Sequence, residues 1–389
     1  MRDGNPEFAL GPAQERLLAE VATLAREVLA PLAAAGRPGR VNRGLVAALG
    51  DHGLLPRLFP RAVGGTADGP APALELCLLR EALARGSTEA ETALALQALG
   101  AYPILAAGGG ALKRRFLPAV AAGRAVAAFA LSEAAAGSDA AALELRAEPD
   151  GDGFRLTGAK QWISNAPDAD VYAVFARTTP GARSRGVTAF AVPGDAPGLS
   201  GQPVELLAPH PVGRLSFDGV PVAADQVLGP VDGGFALAME TLDRFRPSVG
   251  AFAVGMAQAA LDLAVAHAAG RKAFGRPLRD FQAVSHRLAE MATRTQAARL
   301  LVYAAASRYD AGDAGVTAAS AMAKLYATET AQAVVDAAVQ VHGAAALERG
   351  HPLEHLYREV RAPRIYEGTS EIQREVIARE LFSRRPRGG

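Results

Sequence analysis

Three textures succeed one another along the chain, and their order narrows the fold before any motif is considered. Over residues 13–124 apolar residues recur at helical spacing, as in Leu17, Leu18, Val21, Leu24, Ala25 and Val28, with polar residues between them. Near Ala128 the pattern changes to short runs rich in β-branched and aromatic residues: Phe154-Arg155-Leu156, Val171-Tyr172-Ala173-Val174-Phe175, Val187-Thr188-Ala189-Phe190-Ala191-Val192 and Leu215-Ser216-Phe217. Turn pairs punctuate them at Asp150-Gly151, Pro193-Gly194 and Asp218-Gly219, as expected of a β-domain. After Gly233-Gly234 helical spacing returns over 237–268, 281–309 and 318–341, with a last helix from about Glu371. Strands and helices do not alternate, so a doubly wound parallel sheet is excluded. The expected class is α+β in three stretches: helical over 1–125, β over 126–230, helical over 231–389.

Composition excludes several roles. With 389 residues and 50% hydrophobic content the chain can bury two or three packed units, which rules out disorder as its main state. Lys and Arg number 41 against 40 acidic residues, so the charge that drives binding to nucleic acid or an acidic membrane is missing. A single cysteine, Cys77, makes neither an intrachain disulfide nor a multi-cysteine metal site and fits a reducing compartment. The start Met1-Arg2-Asp3-Gly4-Asn5-Pro6 lacks the basic and apolar regions of a secretory signal, so a cytoplasmic location is expected. The longest uncharged stretch, 92–112, is interrupted by Gln97, Pro103 and Gly108-Gly109-Gly110, and reads as a buried helix pair instead of a membrane span.

Most classical catalytic motifs are absent. There is no Gly-x-Gly-x-x-Gly after a strand, no Walker loop, no His-Glu-x-x-His and no Gly-x-Ser-x-Gly. His351 and His355 stand at helical ligand spacing without an evident third ligand, so no metal is expected. The last helix has a readable start: Ser370-Glu371-Ile372-Gln373 matches a capping box, and Ile372, Val376 and Ile377 supply an apolar face. Glu367 then lies in a loop just before a helix N-terminus, with Gly368 allowing the turn.

Four segments stand out together: Phe129-Ala130-Leu131-Ser132-Glu133 with Ala136-Gly137-Ser138-Asp139; Lys160-Gln161-Trp162-Ile163-Ser164-Asn165; Arg271-Lys272-Ala273-Phe274-Gly275-Arg276 with Phe281-Gln282; and Ile365-Tyr366-Glu367-Gly368-Thr369-Ser370-Glu371-Ile372-Gln373. In order and spacing they resemble the acyl-CoA dehydrogenase family over nearly the whole chain. The resemblance implies an N-terminal all-α domain, a middle antiparallel β-barrel or sandwich and a C-terminal four-helix bundle. It also implies FAD as cofactor, a homotetramer or dimer, an acyl-CoA substrate and electron transfer to an electron-transfer flavoprotein.

Residue by residue, the resemblance places Phe129, Leu131, Ser132, Trp162, Ile163 and Ser164 around the flavin, and Ser138 at both cofactor and thioester ligand. Arg271, Phe274, Phe281 and Gln282 would reach the FAD of a neighbouring subunit, Arg271 on the pyrophosphate, where a guanidinium fork suits the charge. Gln340, His342 and Gly343 match a later FAD-contacting turn, although Ala344-Ala345-Ala346 replaces its glycine-containing continuation; Thr369 and Glu371 complete the cofactor set, and Asp243, Arg246 and Gly368 the substrate set. Glu367 would be the base, with its own backbone N–H polarising the thioester carbonyl. Phe245 occupies the position where some branches carry the base, so straight-chain base placement is expected; Ala95, Leu99 and Phe245 are candidates for the acyl pocket.

Each group also has a plainer reading. A lone tryptophan is commonly core, and a glutamate at a helix start can be exposed and dipole-stabilised. Asp243 and Arg246 can be an intrahelical pair, and Arg271, Lys272 and Arg276 a surface basic patch. One departure bears on the substrate: the segment Leu206-Leu207-Ala208-Pro209-His210-Pro211-Val212-Gly213-Arg214 is shorter than the family's loop beside CoA and lacks its Lys-x-Gly-x-Arg pattern. A carrier-protein-bound acyl group therefore stands as an alternative to acyl-CoA. A flavin-dependent monooxygenase or oxidase on the same fold, and a non-catalytic flavin or acyl scaffold, compete at the level of function.

Overall fold

A computed structural model describes residues 10–383, so the N-terminal hexapeptide read for a targeting signal lies outside the described residues. The N-terminal stretch forms α1 (Pro12–Leu24), a wider turn (Ala25–Leu29), α2 (Ala30–Ala34), α3 (Arg43–Asp51), α4 (Ala73–Gly86), α5 (Thr88–Ala107) and α6 (Gly110–Ala121). Asn42 caps α3, its side-chain oxygen accepting from the Leu45 N–H at 3.0 Å. The uncharged stretch 92–112 is shared between α5 and the start of α6, as a helix pair requires.

The β-stretch runs β1 (Ala127–Ala130), β2 (Arg146–Asp150), β3 (Gly153–Ser164), β4 (Val171–Arg177), β5 (Val187–Pro193), β6 (Leu199–Pro203), β7 (Val212–Val222) and β8 (Val227–Leu228). They form one sheet in the order β6-β7-β3-β2-β4-β5-β8, with β1 pairing on β4. The ladders are antiparallel except that β1 joins β4 in parallel, Ala127 opposite Val171, and β2 meets β4 in parallel at Arg146 and Arg177. The C-terminal stretch is α7 (Gly234–Gly270), a short hairpin of β9 (Lys272–Ala273) and β10 (Arg276–Pro277), α8 (Gln282–Asp310), α9 (Val316–His342), α10 (Pro352–Glu359) and α11 (Ser370–Ser383).

The compact units do not follow the three stretches. The described residues up to Val28, Pro72–Glu91 and those from Asp243 onward make one unit; Leu29–Ala71 with Thr92–Leu242 makes the other. In the helical unit, Cys77 and Leu78 of α4 share a core with Phe252 and Met256 of α7, Val302 and Tyr303 of α8, and Val334 and Val335 of α9, while Leu17 and Leu18 of α1 pack against it. Small residues set the helix separations: a Cβ on Gly255 would lie 2.4 Å from the Glu81 carbonyl oxygen. Helix α7 is long and apolar enough by composition to cross a bilayer, yet most of its apolar window is buried inside the protein.

In the sheet unit Leu156, Tyr172, Phe190, Val192, Leu215 and Phe217 form the core. Helix α5 closes the free side of β1. The Gln97 side chain accepts from the Ala127 N–H at 2.8 Å and donates to the Ala125 carbonyl at 2.7 Å, while a Cβ on Gly100 would stand 2.5 Å from the Ala128 nitrogen.

Candidate active site

Within the sheet unit, two of the motif segments are laced together by hydrogen bonds. The Lys160 ammonium, fully buried, donates to the Leu131 carbonyl at 2.8 Å and to Glu133 Oε1 at 2.8 Å. The Gln161 N–H donates to the Ser132 carbonyl at 3.0 Å, and the Glu133 carboxylate accepts further from the Glu144 and Leu145 N–H groups. Burial pushes the Lys160 amine down to about 8 against the pull of Glu133. The segment Leu131-Ser132 is therefore fixed on β3 through its backbone, which leaves the Ser132 hydroxyl half-buried at the surface of the unit.

Trp162 is not core. It is 50% exposed at φ 56°, between Lys160 and Ile163, where the pairing of β3 with β7 slips. A bulge re-aims the residue it carries, and here it turns the only tryptophan outward while Ile163 points into the sheet core. Asn165, at φ 64°, ends the strand by donating from Nδ2 to the Ala127 carbonyl at 2.8 Å. Phe129 is half-buried against Phe175, ring centroids 4.9 Å apart. Ser138 sits exposed on the following loop, beside an Asp139–Arg183 ion pair.

Within the helical unit, the loop from Arg364 to Ser370 is pinned to one face of α9. Lys324, buried, donates to the Tyr366 carbonyl at 3.0 Å and the Gly368 carbonyl at 2.6 Å. Five residues further along α9, Glu329 accepts from the Ser370 hydroxyl at 2.7 Å and pairs with Arg364 at 2.9 Å. Gln373 Nε2 donates back to the Gly368 carbonyl at 2.9 Å and the Glu367 carbonyl at 3.3 Å. Between these anchors Glu367 takes φ 50° and Gly368 φ 87°, and a Cβ at position 368 would stand 2.5 Å from Gln373 Nε2.

The carboxylate at the centre is poorly partnered. Glu367 is half-buried overall, but its Oε2 is sealed from solvent with no hydrogen-bond partner, and no acceptor among the described residues takes its backbone N–H. Burial pushes the carboxyl above the usual carboxylate range, and the nearby charges of Arg80, Lys324 and Arg246 pull it back in part. Arg80 is buried and engaged with Glu91 and, at 2.7 Å, the Ser248 hydroxyl. Asp243 and Arg246 form the intrahelical pair; Phe245 is buried beside them, and burial raises Asp243.

The capping box of α11 is shifted. Thr369, not Ser370, caps the helix, its hydroxyl accepting from the Ile372 N–H at 3.3 Å, because the Ser370 hydroxyl is taken by Glu329. Gln373 acts as a donor to loop carbonyls instead of accepting a backbone N–H. Thr369 is half-buried and Glu371 is exposed.

The remaining motif residues lie at helix ends of the same unit. Phe274 caps the β9–β10 hairpin at φ 50° and 95% exposure, in edge contact with Phe281; Arg276 lies over the Phe281 ring, and Arg271 and Gln282 are exposed nearby in sequence. At the end of α9, His342 stacks on His267 of α7 with centroids 4.2 Å apart, Gln340 is exposed and Gly343 turns the chain at φ 67°. Sequence reasoning assigned no role to Lys160, Glu133 or Lys324, and gave Gln373 only a place in the capping box. A lysine at helical spacing with Ala321, Thr328 and Ala331, all core positions, was the available signal for Lys324.

Comparison with known proteins accounts for almost the whole chain. Residues 11–124, 128–220 and 232–382 match, in turn, the N-terminal, middle and C-terminal domains of acyl-CoA dehydrogenase. The probable acyl-CoA dehydrogenase FadE25 of Mycobacterium tuberculosis is 38% identical over 386 residues, 97% of this chain and 98% of that protein. The structure of butyryl-CoA dehydrogenase from Megasphaera elsdenii aligns with a TM-score of 0.91 at 34% identity, covering 96% of this chain and 99% of that one. PigA with FAD and proline gives a TM-score of 0.90 at 28% identity, covering 97% and 100%.

Proposed function

Because this chain belongs to the acyl-CoA dehydrogenase family, we propose that it is an FAD-dependent oxidoreductase that desaturates an acyl thioester between Cα and Cβ, with Glu367 as its base. The observation that carries the reading is Glu367 itself: an unpartnered, sealed carboxylate oxygen and an unpaired N–H, held together at a strained backbone angle. A structural glutamate at a helix start would be solvated or would cap the helix, and this one does neither.

The residues present suit a flavin. Trp162 and Phe274 are large apolar side chains turned outward by positive-φ backbone, which is costly unless something covers them. Leu131, Ser132, Trp162 and Ser164 would hold the flavin ring, and Arg271, Phe274, Phe281 and Gln282 would reach the FAD of a neighbouring subunit, with Gln340, His342 and Gly343 forming a further FAD-contacting turn; the relative PigA has been seen with FAD. When bound, FAD supplies the acceptor for the β-hydride and the route by which its two electrons leave.

The chain's own part follows from charge and geometry. The Glu367 carboxylate takes the α-proton as the α C–H bond breaks; that electron pair forms the C=C bond as the β C–H pair departs as hydride. A carboxyl raised by burial is a stronger base than one in water. The Glu367 N–H donates to the thioester oxygen, where negative charge develops. Electrons then pass to an electron-transfer flavoprotein, and the protein works in the cytoplasm as a homotetramer or dimer. That assembly is supported by the apolar Leu300, Leu301, Met322 and Tyr326, which stand partly exposed on α8 and α9.

A second reading, with the acyl group on a carrier protein, is favoured by the segment 206–214, whose Leu206 and Leu207 are exposed and which offers no lysine where the family has one. Anaerobic flavin reduction decides among these. The purified protein should be yellow and should bleach with an acyl thioester; a colourless protein that takes up no FAD removes the reading, and bleaching by carrier-bound but not CoA-bound acyl groups selects the second. Rapid oxygen consumption without bleaching by any thioester would point to the oxidase.

A further inference from the structure

We propose that Lys324 is a positioning residue that orients and polarises the Tyr366–Glu367 peptide, so that the Glu367 N–H becomes the donor for the thioester carbonyl. The inference rests on the dehydrogenase reading of the site and names a residue that acts on substrate only through another.

In a trans peptide the C=O and N–H point in opposite directions. The Tyr366 carbonyl and the Glu367 N–H belong to one such unit. With the carbonyl held on a buried ammonium at 3.0 Å, the N–H must point away from α9. The second bond, 2.6 Å to the Gly368 carbonyl, fixes the next-but-one peptide the same way, so the two left-handed residues between them cannot rotate independently. A cation on the oxygen of an amide also draws electron density from its N–H and strengthens it as a donor, the cooperative effect of linked hydrogen bonds at low dielectric. Gln373 shares only the Gly368 carbonyl, bonds the Glu367 carbonyl besides, and brings no charge, so the Tyr366 carbonyl is held by Lys324.

Lys324 has a second, electrostatic effect on the base, because its charge favours ionised Glu367. The charged groups facing this ammonium are Glu367 from the loop, Arg246 from α7, Glu329 from its own helix and Glu371 from α11; Arg80 of α4 faces Glu367. Burial pushes the Lys324 amine down to about 8, so the clamp loses its charge in mildly alkaline solution, where an arginine in its place would not.

The test uses the flavin-loaded protein in wild-type, Lys324→Gln and Lys324→Arg forms. The first readout is binding without turnover: an arylacryloyl thioester whose absorption moves to the red when its carbonyl is polarised. Lys324→Gln should bind it but lose most of the red shift, and Lys324→Arg should keep it. The second is the pH profile of anaerobic flavin reduction. In Lys324→Gln the rate should fall about tenfold to a hundredfold with KM nearly unchanged, and the acid limb set by Glu367 should move to higher pH. The wild-type rate should decline above about pH 8, and Lys324→Arg should abolish that decline.

A Lys324→Gln protein with the wild-type red shift and profile overturns the proposal while leaving the dehydrogenase reading intact. A wild type that no acyl thioester reduces removes both. If the variants do not fold, a wild type that binds the arylacryloyl thioester without any red shift overturns it alone, since the Glu367 N–H then does not polarise the carbonyl.

Discussion

At the scale of single residues, Glu367 combines a backbone angle that non-glycine residues avoid with a carboxyl that burial resists charging. Both features work against stability, so function and fold oppose each other at this position. Glu367→Gln should retain FAD but reduce flavin with substrate about a hundredfold to ten-thousandfold more slowly, the usual range for a lost general base; bleaching at the wild-type rate would place the base elsewhere. The stability effect depends on pH. Because the folded carboxyl titrates above the unfolded one, folding is favoured at low pH and loses that advantage as pH rises through the folded value. The glutamine variant should therefore match wild type near pH 4 and melt higher near neutrality, by thermal unfolding at roughly pH 4 and 7.5. A variant that melts lower at the higher pH would show that the carboxylate is stabilising where it sits. Glu367 was legible in the sequence because a short motif marks it. The outward turn of Trp162 was not, because the bulge that causes it arises from a register slip between strands some fifty residues apart.

At the scale of elements, α5 is more than a buried helix. Gln97, which in the sequence only breaks an apolar run, supplies the bonds that a neighbouring strand would otherwise give to the start of β1. Gln97→Leu would remove the partner of the buried Ala127 N–H, at about 1–3 kcal/mol, and of the partly buried Ala125 carbonyl, at less. Urea unfolding should show that loss together with weakened FAD retention, since β1 leads directly into Leu131 and Ser132; wild-type stability would mean the strand edge is satisfied some other way. Gly100→Ala tests the same contact sterically and should cost about 2 kcal/mol or more, because the atom it would crowd is backbone. The existence and extent of α7, α8 and α9 could be read from periodicity alone. The pairing of Gln97 with Ala125 and Ala127 could not, because it joins residues about thirty positions apart through a polar side chain in an apolar helix.

At the scale of the whole molecule, the sequence order of helices, strands and helices does not reveal which helices share a core. Alanine-rich faces carry little pairing information, and so the early helices α1 and α4 join the late ones without any local sign of it. Cys77 offers a direct measure of that core. It is fully buried, and burial pushes its thiol far above the ordinary range, so it is inert while the helical unit is closed. A disulfide reagent at pH 8 should label it only at the rate of unfolding, accelerating with urea, whereas rapid labelling of the native protein would mean that the core around α4 opens locally.

The scattered origin of the helical unit also sets a timetable for its synthesis. The sheet unit has all its residues once Leu242 has emerged, whereas α4 must wait for Asp310, whose carboxylate accepts from the Ala73 and Leu74 N–H groups at 2.6 and 3.0 Å across more than two hundred residues. Closing so long a loop is slow, and the apolar faces of α1 and α4 stay uncovered on the nascent chain until it happens. Glu367 comes later still, and its loop has nothing to hold it until α9 is in place. A ribosome-bound chain stalled before residue 324 would thus carry a finished sheet, two helices in need of a chaperone, and no base.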